Sequence, residues 1–462
     1  MSQIDPHIFR AYDIRGKAGT QLSSDACRLI GHAFGVTVAR MYKTDRPRIL
    51  VGRDARVHSK EFEEAIVTGL QNAGCSVLLM GQTPSPLNYF TVCRLQLDGG
   101  VQITASHNPG DDNGIKLQVR NAEAWSGDEL QKIRIQIESG DLPVSKNLGT
   151  AETIDAETPY ASHLKTMFAG KGKDLRVVID GGNGVAGPLY AKVIESIGCQ
   201  VEGLYIEPDG TFPNHPADPS KRETLKDLQE KVRETKSDIG LAFDGDGDRL
   251  GIVDETGTIR SADEILLLLA EDLLKRKAKS TVIFTVSNSG ILESEIARWG
   301  GKPVMCQVGH SFVEHAMREH GALLGGEQSG HFFCNENYYG FDDALVAALH
   351  ILSLLKKSGS TLAKMCAAFP KVYQAAERRP HCPDGKKTEI VEKISAHFAK
   401  KFPVNTLDGA RIDFGEGAWA GIRKSNTSPC LSICLEARSE KKLREIEKIV
   451  LDHLKTYSDI EL

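Results

Sequence analysis

Arg176–Gly187, RVVIDGGNGVAG, reads as an apolar strand that breaks into a glycine-rich polar turn and then opens a helix. The same three-part phrase occurs at Arg48–Arg56 (RILVGRDAR) and at Val282–Leu292 (VIFTVSNSGIL). Each copy runs through a helix into a Gly-containing corner and another strand: NAGCSVLLMG from Asn72, SIGCQVEGLYI from Ser196 and RWGGKPVMCQVG from Arg298. Any three α/β segments share part of this pattern, but three related α/β units is the economical reading. Beyond Phe369 the phrase disappears. Thr388–Lys401 and Glu440–Tyr457 read as amphipathic helices around strands at Gly409–Phe414, Trp419–Arg423 and Cys430–Glu436, a smaller unit of α+β type. Polar, turn-rich stretches near Ser139–Ala156, Asp254–Ser261 and Lys356–Leu362 divide the chain into expected domains 1–152, 153–254, 255–368 and 369–462.

Composition narrows the function classes. The 462 residues are 40% hydrophobic and 26% charged, as in an ordinary globular enzyme, and a net charge of -5 offers no basic footprint for nucleic acid or an anionic membrane. The N-terminal MSQIDPHIFRAYDIRG has no apolar signal core, and the most apolar helix candidate, Ala344–Leu355, is too short to span a bilayer. A cytoplasmic location without nucleic-acid or membrane partners is expected. The 10 cysteines show no C-x-x-C or Cys/His zinc spacing, so disulfides and zinc are not expected.

Four stretches carry chemistry. Val101–Lys116, VQITASHNPGDDNGIK, follows a strand with turn formers and puts the hydroxyl of Ser106 in a projecting loop, with Lys116 near its exit. Ser106 beside His107 suggests a nucleophile and its base. Adjacent residues of an extended chain point to opposite faces, however, so this pairing is expected to be geometrically poor and a hydrolase triad is rejected. Read alone, such a serine is more often a turn residue.

The second stretch is Leu241–Asp254, LAFDGDGDRLGIVD, in which Asp244, Asp246 and Asp248 alternate with glycines between two apolar strands. Three carboxylates at about 5.5 Å repel by roughly 3 kcal/mol per neighbouring pair at an effective dielectric near 20. A divalent cation removes that cost, and all-oxygen ligation from a flexible loop suits Mg²⁺. An EF-hand calcium loop is excluded, because Arg249 stands where a sharp-turn Gly is needed and the flanks read as strands.

Gly325–His331 (GGEQSGH) sets Glu327 and Ser329 two apart, a spacing that on an extended segment aims a carboxylate and a hydroxyl to one side, toward sugar hydroxyls. Taken alone it equally describes a surface loop. Gly421–Pro429 (GIRKSNTSP) gathers Arg423, Ser425, Asn426 and Thr427, a guanidinium fork and donors suited to a phosphate dianion, or simply a polar turn. Near the N-terminus, Phe9–Gly16 (FRAYDIRG) adds Tyr12 and Arg15, the latter an anion ligand or a partner of Asp13.

Taken in order, FRAYDIRG, VGRDAR, TASHNPGDDNGIK, DGGNGVAG, DGDGDR, GGEQSGH and RKSNTSP resemble the α-D-phosphohexomutase superfamily over nearly the whole chain, most closely its bacterial phosphomannomutase/phosphoglucomutase branch. The resemblance implies four domains around a central cleft, three related mixed-sheet α/β units and a smaller α+β C-terminal domain. It implies a mutase that interconverts hexose 1-phosphate and hexose 6-phosphate, of mannose and/or glucose, through a phosphoserine at Ser106 and a 1,6-bisphosphosugar. One Mg²⁺ would sit with Asp244, Asp246, Asp248 and the Ser106 phosphate, and glucose or mannose 1,6-bisphosphate would be activator and intermediate. Substrate contacts fall to Tyr12, Arg249, His310, Glu327 and Ser329, and the substrate's phosphate to Arg423, Ser425, Asn426 and Thr427. Lys116 and His331 are the candidate general bases and Arg15 a supporting cation. Small phosphosugars are the expected partners of a monomer or weak dimer. Ser287 and Gln328 depart from several relatives, which carry Lys and Met there. TVSNS, DNGIK and GGEQSGH lean toward phosphoglucosamine mutase, the alternative activity, whereas FRAYDIRG and the Asn in RKSNT lean away from it; a non-catalytic phosphosugar-binding protein is disfavoured because a binder needs neither Ser106 nor three aspartates.

Overall fold

The computed structural model describes residues 4–425 and 428–461. By compactness the chain divides into two units, residues 1–265 with 329–365 and residues 266–328 with 366–462.

The first unit holds two sheets. In the first, β1 (Ile14–Lys17), β2 (Arg48–Arg53), β3 (Ser76–Gln82), β4 (Gly99–Ile103), β5 (Asp112–Val119) and β6 (Thr150–Thr153) run in the order β1-β5-β4-β2-β3-β6. The second is built from β7 (Arg176–Asp180), β8 (Gln200–Leu204), β9 (Ile239–Phe243), β10 (Leu250–Asp254) and β11 (Ile259–Arg260), ordered β11-β10-β9-β7-β8. In the second unit, β12 (Thr281–Thr285) lies between β13 (Lys302–Cys306) and β14 (Leu324–Gly326), parallel to both.

The repeated phrase in the sequence is thereby explained. β2, β7 and β12 are each the middle strand of a parallel trio, β3-β2-β4, β8-β7-β9 and β13-β12-β14. Both faces of a middle strand are covered, which is why RILVG, RVVID and VIFT read as unbroken apolar runs instead of alternating ones. In the first two sheets an antiparallel strand follows the trio: β5 folds back on β4, and β10 on β9. Those two reversals create the loops at Ser106 and at Asp244–Asp248.

Beyond Phe369 the remaining β-structure is antiparallel: β16 (Tyr373–Gln374), β17 (Val404–Asn405), β18 (Ala410–Asp413), β19 (Trp419–Lys424) and β20 (Leu431–Ala437), ordered β16-β20-β19-β18-β17. The strand β15 (Phe332–Cys334) precedes the helix Ala344–Ser358 in the first unit. Helices Asp384–Phe398 and Glu440–Leu454 cover the C-terminal sheet, with Ile394, Phe398, Ile446 and Val450 buried against Ile412, Ile422 and Ile433. Each such side chain contributes roughly 1.5–3 kcal/mol of burial. The boundary stretch Ser139–Ala156, read as irregular, contains β6, an exposed edge strand of four residues (TAET) with no apolar alternation to reveal it. Among the described residues no helix is long and apolar enough to cross a membrane.

Candidate active site

The serine loop and the aspartate loop meet in the first unit. Ser106 donates from Oγ to Asp244 Oδ2 at 2.7 Å, and both residues are buried. The aspartate loop is the reversal between β9 and β10, with Phe243 opposite Leu250. It is cross-braced by the Asp248 and Arg249 N–H groups, which donate to Asp244 Oδ1 at 3.1 Å, and by Ser85 Oγ, which donates to Asp246 Oδ2 at 2.6 Å. The two loops touch backbone to backbone. A Cβ on Gly245 would stand 2.5 Å from the Ser106 carbonyl oxygen, so the first glycine of DGDGD is fixed by this approach.

One expectation is corrected. Ser106 Oγ lies 3.2 Å from His107 Nδ1, although adjacent side chains were expected to diverge. The reason is local: Ser106 has φ +51°, a left-handed turn and not extended backbone, so the alternation rule does not apply. Thr104 Oγ1 supports that turn by accepting the Ser106 N–H at 2.8 Å. Burial, with Arg249 and Arg15 nearby, pushes the His107 pKa well below its ordinary value and keeps the ring neutral.

Lys116, on β5, donates to Asp246 Oδ2 at 2.7 Å and also to Asp248 Oδ2. Burial opposes its charge, but Asp246 and Asp248 outweigh that and raise its pKa well above the ordinary value, so it is an ammonium here. Asp248 is driven the other way. Burial disfavours its charge, yet Lys116 and Arg249 hold its carboxyl below the usual range. Asp244, buried beside Asp248 and Asp246, is raised well above that range.

Arg15 pairs with Asp13 at 2.7 Å and donates to Ala105 O at 3.2 Å and Asn108 Oδ1 at 2.9 Å, so it serves both the acid beside it and the serine loop. Tyr12 is half-buried and lies near Arg15. Arg249 Nε donates to His331 Nε2 at 3.0 Å, and His331 Nδ1 lies 2.8 Å from Asp342 Oδ2.

The aspartate loop suits a metal. One ligand atom from each of Asp244, Asp246 and Asp248 lies within 4.8 Å of the others. Asp246 Oδ1 and Asp248 Oδ1 are buried without a hydrogen-bond partner among the described residues, a donor set of carboxylate oxygens that a hard divalent cation satisfies.

In the second unit, Glu327 Oε1 accepts the Gly309 N–H at 2.8 Å, and His310 begins the helix His310–His320. Ser329, half-buried in the first unit, belongs to a turn with Gln328 and not to an extended segment. Arg423 lies on β19 and lines a cavity with Ser287, Asp408, Arg411, Ser432 and Cys434. Its Nε is buried and has no partner among the described residues. Ser425 Oγ accepts from Arg379 Nη2 at 3.1 Å, and Lys387 Nζ donates to the Ser425 and Ser428 carbonyls at 2.7 and 3.0 Å. Asn426 and Thr427 lie outside the described residues. Sequence reading missed Arg379 and Lys387, which stand far from GIRKSNTSP in the chain, and Asp408 and Arg411, which lie on the preceding strand and its approach.

Comparison with known proteins accounts for all four parts. The chain matches the family models "Phosphoglucomutase/phosphomannomutase, alpha/beta/alpha domain I" over residues 6–143, domain II over 158–257, domain III over 261–373 and the C-terminal domain over 377–453. It is 39% identical over 450 residues to a phosphomannomutase/phosphoglucomutase of Pseudomonas aeruginosa, covering 97% of this chain and 95% of that one. A phosphoglucomutase of Neisseria gonorrhoeae is 36% identical, with 97% and 96% covered. The crystal structure of a phosphoglucomutase/phosphomannomutase family protein from Burkholderia thailandensis superposes with a TM-score of 0.91 at 34% identity, over 100% of both chains.

Proposed function

We propose, for a chain that belongs to the phosphoglucomutase/phosphomannomutase family, that Ser106 carries the phosphoryl group that moves between O1 and O6 of glucose and mannose phosphates. The observation that carries this assignment is the buried 2.7 Å bond from Ser106 Oγ to Asp244, which joins the hydroxyl of the serine loop to the triplet Asp244, Asp246 and Asp248.

In the first half-reaction the Oγ–P bond of phospho-Ser106 breaks as phosphorus bonds to the free hydroxyl oxygen of a hexose monophosphate, giving a 1,6-bisphosphosugar; the sugar hydroxyl gives up its proton and the departing Ser106 Oγ takes one up. In the second, Ser106 Oγ loses its proton and bonds to the other phosphorus, the bond from that phosphorus to the sugar oxygen breaks, the sugar oxygen takes up a proton, and the monophosphate leaves with its phosphate at the new position. Asp244 Oδ2 and His107 Nδ1 are the acceptors beside the Ser106 hydroxyl when it must give up its proton. Lys116 enters as an acid, because its ammonium must first release a proton before it can take one. His331 acts as a base only when Arg249 gives up its Nε2 lone pair. Asp244, Asp246 and Asp248 would hold a divalent cation, assigned as Mg²⁺, which would supply the positive charge that a serine phosphate beside three carboxylates requires.

Arg423, Ser425, Asn426 and Thr427 are assigned to the phosphate that does not react, and Tyr12, Arg249, His310, Glu327 and Ser329 to the sugar. Anchoring the far phosphate turns transfer into a positioned, nearly unimolecular step. Phosphosugars are the proposed partners of a cytoplasmic monomer or weak dimer. The test is a coupled assay of glucose 1-, mannose 1- and glucosamine 1-phosphate with a trace of bisphosphate. Hexose 6-phosphate from glucose and mannose is expected; turnover of the glucosamine ester alone would reassign the substrate, and released inorganic phosphate would make the protein a phosphatase.

A further inference from the structure

Arg56, the last residue of VGRDAR, has no task in the reaction above, yet it is among the largest fully buried side chains of the protein. Every donor nitrogen of its guanidinium is used. Nε binds Asp54 Oδ2 at 3.0 Å, Nη1 binds the Pro109 carbonyl and the Asp112 carbonyl at 2.9 Å, and Nη2 binds the Ser106 carbonyl at 2.8 Å and the Asn108 carbonyl at 2.6 Å. Four of the five acceptors are therefore main-chain oxygens of the seven residues that begin at Ser106. Asp54 is itself held in place, accepting from the Arg56 N–H at 3.0 Å and from Ser59 Oγ at 2.6 Å.

The turn carrying Gly210 and Phe212 packs on the other side. The Phe212 ring covers the guanidinium, with Cζ of Arg56 5.2 Å from the ring centroid. Gly210 permits this approach, because a Cβ there would meet the Ala55 carbonyl oxygen at 2.3 Å. The arrangement has an electrostatic logic. Four carbonyl oxygens turned toward one point repel one another and, buried, need donors; a planar cation with forked N–H groups supplies both the charge and the geometry. Ser106 is held at φ +51°, an uncommon conformation for a residue with a side chain, and its carbonyl is one of the four.

We infer that Arg56 is the positioning residue for Ser106: by gathering the carbonyls of Ser106, Asn108, Pro109 and Asp112 it holds the left-handed turn that presents the Ser106 hydroxyl to Asp244. It touches no reacting atom. The inference rests on the proposed function, in which Ser106 carries the phosphoryl group.

The test is Arg56→Lys, which keeps the charge but cannot serve four carbonyls and Asp54 with three rotatable donors, together with Arg56→Ala. Both are read by kcat, KM and the rate at which bisphosphosugar phosphorylates Ser106. Misplacing a reacting group by about 1 Å costs about 100-fold, so kcat and the phosphorylation rate are expected to fall together by that factor in Arg56→Lys. KM should stay within about twofold of wild type on the same ground, since no substrate contact is removed. Added guanidinium ion at millimolar concentration should recover part of the kcat of Arg56→Ala. A kcat within about threefold of wild type in Arg56→Lys, or a parallel worsening of kcat and KM, overturns the inference. Failure of both variants to fold also overturns it, by making Arg56 a determinant of folding. Ser106→Ala separates the two levels: if it is inactive while Arg56→Lys is normal, only the role of Arg56 falls, whereas an active Ser106→Ala removes the reading beneath it.

Discussion

The charges around Ser106 and those around Arg423 are used in opposite ways. In the first region each charged group already has partners inside the protein: Lys116 bridges Asp246 and Asp248, Arg15 grips Asp13 and Asn108, and Arg249 reaches His331. At the second, Arg423 is half-buried with an Nε that finds no partner among the described residues, while Arg379 and Lys387 brace the neighbouring turn through Ser425. A charge that is satisfied internally builds structure as well as chemistry. A charge left with free donors is available to a ligand and adds little to the fold. The first region should therefore respond to mutation in stability, and Arg423 in substrate affinity alone.

The largest effect is expected from Lys116→Met. Removing one partner from a buried charge cluster costs about 3–5 kcal/mol, so the metal-free variant should melt well below wild type. Divalent cation should restore part of the difference by binding the folded state. Equal melting temperatures in chelator would show that Lys116 does not offset the aspartates.

Next comes Asp343, which caps the helix Ala344–Ser358 and accepts from the Tyr160 and Tyr338 hydroxyls at 2.9 and 2.8 Å. Burial raises its pKa to about 6 against these favourable hydrogen bonds. The folded value lies above the unfolded value of about 3.9, so the folded state binds this proton more tightly. The stability it contributes is complete below pH of about 4 and is lost as pH rises through about 6, a change of roughly 2–3 kcal/mol. In Asp343→Asn this loss should vanish, flattening the melting temperature between these pH values; an unchanged slope would contradict the assignment.

Arg423→Ala should give the smallest change in free energy. A rise in KM of about 10- to 50-fold with kcat within about threefold fits the loss of one charged phosphate contact, and the melting temperature should not move. A destabilised variant with normal KM would erase the contrast between the two regions.

Much of the first region was legible because its chemistry is local. Asp244, Asp246 and Asp248 lie within five residues, and the hairpin between β9 and β10 follows from apolar runs on either side. The relation of Ser106 to His107 was misread because one backbone angle, φ +51°, inverts the rule for neighbouring side chains, and no residue type announces a left-handed serine. Arg56 escaped notice for another reason. Its acceptors are carbonyl oxygens, which every residue has, about fifty positions downstream. Around Arg423 the phrase GIRKSNTSP marked the turn, but Arg379 and Lys387 reach it from separate elements, and separate elements leave no spacing to read. Among the three related sheets, the middle strands were plain from composition, whereas β6 was not, since an exposed edge strand has no apolar face to show.

The most direct test of the central claim is to incubate the purified protein with glucose 1,6-bisphosphate and divalent cation, then map phosphate by peptide mass spectrometry. A single phosphate on Ser106, removed again by glucose 6-phosphate and absent from Ser106→Ala, is the expected result. Phosphate on another residue, or full mutase turnover by Ser106→Ala, would contradict it.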